Sequence, residues 1–309
     1  MKVIELEDLS KSFGGRQVLA NVTFSVERGE VFGYLGPNGA GKTTTMRILL
    51  GLLRPTAGRA LVRGADLSLD NAARGSVGVL MENDGLYDRI SAWQNLDYYG
   101  KLYGVQDRDR RISELLHAFG LADRRNDRVF NFSKGMRRKL GIARAIIHDP
   151  DILMLDEPTS GLDPEAQKMV RDVLKDLSRR EGMTVLLSSH NLDEVEKMCS
   201  RVAVIKSGML RACDSVENLR GGRGGHNLTI TLSKEQDAQT AMDLIKKSPT
   251  VTAARADGAR ISVDHLEDSA SPLLSSLVRA GIGVEEVHKA SRSLEDVYID
   301  LVREQEEVA

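Results

Sequence analysis

The chain has 309 residues, 41% of them hydrophobic and 28% charged, and its formal net charge of −2 gives no general attraction for nucleic acid. Its longest apolar runs, such as Ile152-Leu153-Met154-Leu155 and Val185-Leu186-Leu187, are strand-sized and fall far short of the roughly 18 residues that cross a bilayer as a helix. Two cysteines, Cys199 and Cys213, exclude a disulfide framework and point to a reducing compartment. No signal peptide is expected, because Met1-Lys2-Val3-Ile4-Glu5 runs directly into an alternating strand pattern.

The length suits about two domains, and charge separates them. Residues 221–309 hold 10 Lys/Arg against 15 Asp/Glu, a net −5, which leaves +3 for the first 220.

From Lys2 to Val26 two strands flank a turn at Gly14-Gly15, and Phe13 just before it suits either stacking on a purine ring or core packing. The run Glu30-Val31-Phe32-Gly33-Tyr34-Leu35 then meets Gly36-Pro37-Asn38-Gly39-Ala40-Gly41-Lys42-Thr43-Thr44, and Met46-Arg47-Ile48-Leu49-Leu50 continues as a helix. A glycine-rich turn between a buried strand and a helix is the setting of a phosphate-binding loop. Its glycines let backbone N–H groups turn inward, and the helix N-terminus adds partial positive charge. Lys42 is expected on the β and γ phosphates of a nucleotide and the Thr43 hydroxyl on Mg²⁺.

Further strands follow at Ala60-Leu61-Val62 and Val77-Gly78-Val79-Leu80, the second ending in the polar loop Met81-Glu82-Asn83-Asp84-Gly85. A helical block spans about residues 86–150, with helices expected from Asn95 to Tyr103 and from Ile112 to Phe119, the latter closed by Gly120. Trp93, Tyr98, Tyr99 and Tyr103 crowd together in a chain that is only 4% aromatic, which suits either core packing or a docking surface. Ser133 reads as the N-cap of a helix that begins Lys134-Gly135-Met136-Arg137-Arg138-Lys139, a second helix N-terminus suited to an anion.

The apolar strand Ile152-Leu153-Met154-Leu155 ends in Asp156-Glu157-Pro158. Two carboxylates at the end of a buried strand are costly unless something compensates them, and Mg²⁺ is the natural counter-charge. Asp156 is then expected to hold the metal through water and Glu157 to activate a water molecule as general base. Pro158-Thr159-Ser160-Gly161-Leu162-Asp163-Pro164 makes a rigid turn, and Thr184-Val185-Leu186-Leu187-Ser188-Ser189-His190 again delivers a polar residue at a strand end.

Phosphate loop, carboxylate strand end, Ser-Gly-Leu-Asp turn and strand-end histidine, in this order over about residues 1–220, resemble the nucleotide-binding subunit of ATP-binding cassette (ABC) transporters. Ser133-Lys134-Gly135-Met136 falls where that family has Ser-Gly-Gly-Gln. The resemblance implies an α/β P-loop NTPase of ABC type with a helical subdomain, with ATP and Mg²⁺ as cofactors. It further implies a head-to-tail pair of subunits, homotypic or heterotypic, in which Ser133 and Gly135 of one copy cover the nucleotide of the other. Phe13 would stack on adenine, Asp163 would communicate across the interface, and His190 would contact the γ-phosphate. Two departures stand out: Glu82 occupies the position of a family glutamine that touches Mg²⁺, and Lys134 and Met136 replace Gly and Gln. Ser-Lys-Gly-Met variants resemble export-type members whose membrane subunit is a separate polypeptide. The expected function is therefore an ATPase on the inner face of the cell membrane, cytoplasmic and peripheral, that drives export through a separate transmembrane permease without contacting nucleic acid. The alternative is a soluble ABC-type switch acting on ribosome or DNA, although such relatives usually carry two cassettes or a long coiled-coil insertion.

Residues 221–226 read as a Gly-rich linker, and 227–309 as an accessory domain. Its expected elements are a strand (Asn227 to Leu232), helix (Lys234 to Lys247), two strands (Thr250 to Arg255, Arg260 to Val263), helix (Pro272 to Ala280, capped by Ser271), strand (Val284 to His288) and helix (Leu294 to Arg303). That order suggests a small α+β ferredoxin-like domain with an added helix. The last helix carries an apolar stripe of Leu294, Val297, Tyr298, Leu301 and Val302, behind a Ser293/Asp296 capping box. Docking, dimer contacts and ligand-sensing regulation are the roles open to it.

Overall fold

A computed structural model describes residues 1–70, 73–221, 226–265, 269–290 and 293–303, and the chain divides into two units, Met1–Asp214 and Ser215–Ala309. In the first unit the order is β1 (Lys2–Phe13), β2 (Arg16–Glu27), β3 (Val31–Leu35), α1 (Lys42–Leu49), β4 (Ala57–Val62), β5 (Val77–Leu80), α2 (Ala92–Leu102), α3 (Arg108–Ala118) and α4 (Lys134–Ala145). It continues through β6 (Ile152–Asp156), α5 (Pro164–Glu181), β7 (Thr184–Ser189), α6 (Leu192–Met198), β8 (Arg201–Lys206) and β9 (Met209–Ser215).

Two sheets share these strands. β2, β1 and β4, in that order, form an antiparallel sheet, and β5-β6-β7-β3-β8-β9 form a second sheet that is parallel from β5 through β8. Every residue of β3, β6 and β7 is buried. Burial on both faces explains why these strands read as unbroken apolar runs rather than alternations. Phe24 of β2 stacks on Phe32 of β3 with ring centroids 5.3 Å apart, joining the two sheets in one core with Met46 and Leu49 of α1.

The helical block lies between β5 and β6 in sequence. Both of its first two helices begin earlier than the apolar spacing alone predicts: a Ser91/Gln94 capping box starts α2 at Ala92, and the polar run Arg108-Asp109-Arg110-Arg111 opens α3. Ser133 caps α4 as expected, accepting the Met136 N–H at 3.2 Å. The far end of α4 rests against β5 through Gly78, where an added Cβ would lie 2.2 Å from the Ala145 carbonyl oxygen.

The second unit contains α7 (Val216–Gly221), β10 (His226–Leu232), α8 (Ala238–Ile245), β11 (Val251–Asp257), β12 (Arg260–His265), α9 (Ser271–Arg279), β13 (Val284–Ala290) and α10 (Leu294–Arg303). Its sheet is antiparallel in the order β11-β12-β10-β13, so the two central strands are the first and third of a βαββαβ unit, a ferredoxin-like arrangement. Leu228, Ile230, Ile261 and Val263 of the sheet meet Ala241, Ile245, Leu273 and Leu277 of α8 and α9 in its core.

Three details differ from the sequence reading. The division falls before α7 rather than after residue 220, because α7 makes its contacts with α10; of the glycine-rich stretch, residues 222–225 lie outside the described residues. The helix expected from Lys234 to Lys247 shortens to α8 after a single 3₁₀ turn, Glu235–Asp237, since Lys234 is extended and Pro249 disfavours helix in the residue before it. Ser271 is the first residue of α9 and not its cap; Ala270 holds that position without a side-chain hydrogen bond, and Pro272 supplies the preset φ of a helix start. The Ser293/Asp296 capping box forms, with Asp296 N–H donating to Ser293 Oγ at 3.1 Å and Ser293 N–H to Asp296 Oδ2 at 3.0 Å. Leu294 and Val297 of the stripe are buried, while the side chains of Leu301 and Val302 lie outside the described residues.

Because the Gly78 contact is with backbone, it has little room to relax. Gly78→Ala should lower unfolding free energy by about 1–3 kcal/mol, read as a lower urea midpoint at unchanged slope; an unchanged midpoint would show that α4 is free to shift from β5.

Candidate functional site

β3 leads into the loop 36–41, which wraps onto the N-terminus of α1. Two glycines are required there by geometry. Gly41 has φ +109 and caps α1 in the left-handed region, and a Cβ on Gly36 would fall 2.3 Å from the Ile205 carbonyl oxygen. Behind the loop, burial pushes the Tyr34 phenol up, so its hydroxyl stays protonated beside Thr45 Oγ1 at 3.2 Å. Thr45 in turn donates to the Gly41 carbonyl at 3.1 Å.

The loop curls around its own lysine. Lys42 is only 6% exposed and donates to the carbonyls of Gly36 at 2.6 Å and Pro37 at 3.3 Å. Its ammonium also lies 3.4 Å from Glu157 Oε1, and that oxygen, although buried, accepts no hydrogen bond among the described residues. The other oxygen, Oε2, meets His190 Nδ1 at 2.8 Å. Asp156 is buried at 3% exposure; Oδ2 accepts from Thr43 Oγ1 at 2.9 Å, and Oδ1 accepts from Ser188 Oγ.

Glu157 adopts φ +52, a left-handed backbone that costs a non-glycine residue roughly 1–2 kcal/mol. Its N–H is held by Ser188, with the hydroxyl at 3.1 Å and the carbonyl at 3.2 Å, and its carbonyl accepts from Arg138 Nη2 at 2.7 Å. The turn off β6 thus aims the side chain across the sheet end towards α1.

These groups border one cleft of roughly 580 Å³, a size at which pockets bury small molecules. Pro37, Asn38, Gly39, Gly41, Lys42, Thr43 and Thr44 line it on the loop side, Asp156, Glu157 and His190 on the strand side, and Glu82 and Lys134 at its margin. Gly36 and Ala40 belong to the loop without lining the cleft. Phe13 is half exposed at the end of β1, with Lys11 Nζ 4.9 Å from its ring, and is not among the lining residues; Val18 is, and adds an apolar side chain to that of Pro37. Ser133 is exposed at the cap of α4, followed by Gly135 and Met136, and Asp163 caps α5 by accepting from the Ala166 N–H at 2.9 Å. None of these four lines the cleft.

Sequence reading missed Ser188, Val18, Ser160 and Arg138 at the site. Ser188 carried a signal, being the polar residue one strand over from Asp156 in a run already noted for its polar end. The Thr43 hydroxyl and Asp156 carboxylate are hard oxygen donors one hydrogen bond apart, a set that suits Mg²⁺ with phosphate and water oxygens completing it. Among the described residues no group of three or more His, Cys, Asp or Glu is arranged to hold a metal, so Glu82 is not part of a preformed carboxylate cage.

A family model described as ABC transporter matches residues 19–160. The chain is also similar to YhcH of Bacillus subtilis (strain 168), an ABC transporter ATP-binding protein, at 36% identity over 99% of this chain and 97% of that one. This chain belongs to the ABC transporter ATP-binding proteins. Another relative in the family, the Nod factor export ATP-binding protein I of Cupriavidus pinatubonensis (strain JMP 134 / LMG 1197), is 35% identical over 97% of this chain and 90% of its own length. A solved ATP-binding subunit of an ABC transporter superposes with a TM-score of 0.65 at 31% identity, covering 71% of this chain and 92% of that one. No helix among the described residues is long and apolar enough to cross a membrane.

Ser188 supports both carboxylate residues at once. Ser188→Ala should destabilise the fold by about 1–3 kcal/mol in chemical denaturation, the cost of leaving a buried acceptor short of a partner; a loss of only a few tenths would mean that Asp156 does not depend on it.

Proposed function

We propose that this chain is the ATP-hydrolysing subunit of an exporter, acting as a pair of subunits on a separate membrane-spanning permease. The observation that carries the reading is the meeting of two strand-end carboxylates with the phosphate-loop lysine and threonine: Thr43 to Asp156 at 2.9 Å and Lys42 to Glu157 at 3.4 Å. The name of the Nod factor export relative supports the export direction.

In this mechanism ATP lies along residues 36–44, its phosphates on inward N–H groups and the N-terminus of α1. Lys42 exchanges the carbonyls of Gly36 and Pro37 for the β and γ phosphates. Bound Mg²⁺, held by Thr43 and through water by Asp156, would neutralise charge on the phosphates. Glu157 takes a proton from the attacking water at Oε1, the oxygen free of hydrogen bonds, while His190 steadies Oε2 and reaches the γ-phosphate. Phe13 stacks on adenine. Ser133, Lys134, Gly135 and Met136 cover the nucleotide of the second copy, and Asp163 senses that interface. The exposed Tyr87, Tyr98 and Tyr103 of the helical block would receive the permease, and the second unit would serve docking or dimer contacts. The protein would therefore work at the inner face of the membrane.

Glu157→Gln should retain ATP binding and lose turnover by about 10²- to 10⁴-fold in a phosphate-release assay; hydrolysis as brisk as the parent's would remove Glu157 from the chemistry. Glu82→Gln removes one negative charge from the cleft margin and should shift the Mg²⁺ concentration for half-maximal turnover. An unchanged Mg²⁺ curve would separate Glu82 from the metal.

A further inference from the structure

Arg138 sits on the second turn of α4, five residues after the Ser133 cap, and its guanidinium binds backbone from two other elements. Nε donates to the Pro158 carbonyl at 3.2 Å, Nη1 to Met81 at 3.1 Å, and Nη2 both to Glu157 at 2.7 Å and to Asp156. Most of its five N–H donors are thus spent on carbonyls at the ends of β5 and β6. Among the described residues none goes to a carboxylate, so this is not an ordinary ion pair. Burial pulls the guanidinium pKa down, while the charges of Asp156, Asp84 and Glu157 act in the opposite sense.

Neighbouring arginines bind the same helix to β5 and to the loop after it. Arg137 donates to Asp84 at 2.9 Å and to Asp88, and Arg144 to the Val79 carbonyl at 2.5 Å. Only Arg138 continues from that assembly to β6. Among the described residues it is also the only side chain that donates to the carbonyl of Glu157, whose left-handed N–H side is held by Ser188.

We propose that Arg138 is a positioning residue that fixes the Glu157 backbone in its left-handed turn and ties that turn to α4 and to the loop carrying Glu82. A displacement of α4 at its Ser133 end would thereby be felt at Glu157, so the placement of the base would depend on where α4 sits. The proposal rests on the ATPase reading above, in which Glu157 is the base.

The test compares Arg138→Gln and Arg138→Lys with the parent, as full-length chains, for ATP turnover, for affinity of a fluorescent ATP analogue and for thermal stability. Both variants should lose about 10- to 100-fold in kcat, the size expected when a reacting group is misplaced by an ångström or so, with KM and analogue affinity within about twofold of the parent. Lysine should not rescue, because one ammonium on a flexible stem does not reproduce a planar fork that spans four carbonyls. Arg111, which donates to the Ile146 carbonyl at 3.0 Å away from the cleft, provides the comparison: Arg111→Gln should lower thermal stability and leave kcat within about twofold. Turnover preserved in Arg138→Gln would overturn the proposal, as would parallel losses of kcat, analogue affinity and melting temperature, which mark a purely structural role. A parent chain that binds the analogue but shows no ATP turnover would instead overturn the ATPase reading, and the proposal with it.

Discussion

The site depends on placing two carboxylates at the end of a strand with no polar residue before them. β6 is buried throughout and Asp156 is 3% exposed, so these charges need partners brought to them. Sheet order supplies these. β7 lies between β6 and β3, and the parallel register sets Ser188 opposite Asp156 while β3 delivers the phosphate loop at the same edge. A parallel sheet ends all its strands on one side, which is where α/β proteins bind ligands. The hydrogen bonds of Thr43 and Ser188 to Asp156, and the contacts of Lys42 and His190 with Glu157, follow from that one arrangement.

The second constraint comes from the helical block. α4 touches β5 where Gly78 leaves no room for a side chain, and its arginines bind the chain from Val79 to Asp88. The loop bearing Glu82 is therefore linked to the same helix that Ser133 caps. Glu157 stands at the junction, gripped by β7 through its N–H and by α4 through its carbonyl. Two otherwise separate parts of the first unit thus have their meeting point on one residue with a strained backbone.

Local pattern made much of this legible. The apolar runs at β6 and β7 each end in a polar residue, and β3 runs straight into a glycine-rich loop that precedes a helix; each of these is a local signal. The ferredoxin-like order of the second unit was readable for the same reason, since its strands and helices alternate with clear turn residues. What escaped was non-local. Arg138 looked like one of several cations on a helix start, because nothing near it in sequence shows that β5 and β6 end beneath α4. The left-handed turn at Glu157 was hidden because that conformation is imposed by partners from β7 and α4. The early boundary was missed for a related reason: the glycine-rich stretch drew attention, while the contacts that assign α7 to the second unit come from α10, far along the chain.

Charge at the cleft bears on how a nucleotide would bind. Lys42, Lys134 and Arg138 line it together with Glu82, Asp156 and Glu157, three formal positive charges against three negative. Arg138 is turned to backbone carbonyls, and Lys42 is shared between carbonyls and Glu157, so neither cation is idle before ligand arrives. A polyphosphate entering such a cleft gains from backbone N–H groups and the helix end, but it also faces the field of three carboxylates. A divalent cation held by Thr43 and Asp156 would supply the positive charge that offsets this conflict. With glutamate at residue 82, the cleft carries one more carboxylate than a neutral amide there would give it, so on the proposed reading a bound cation would have more charge to offset.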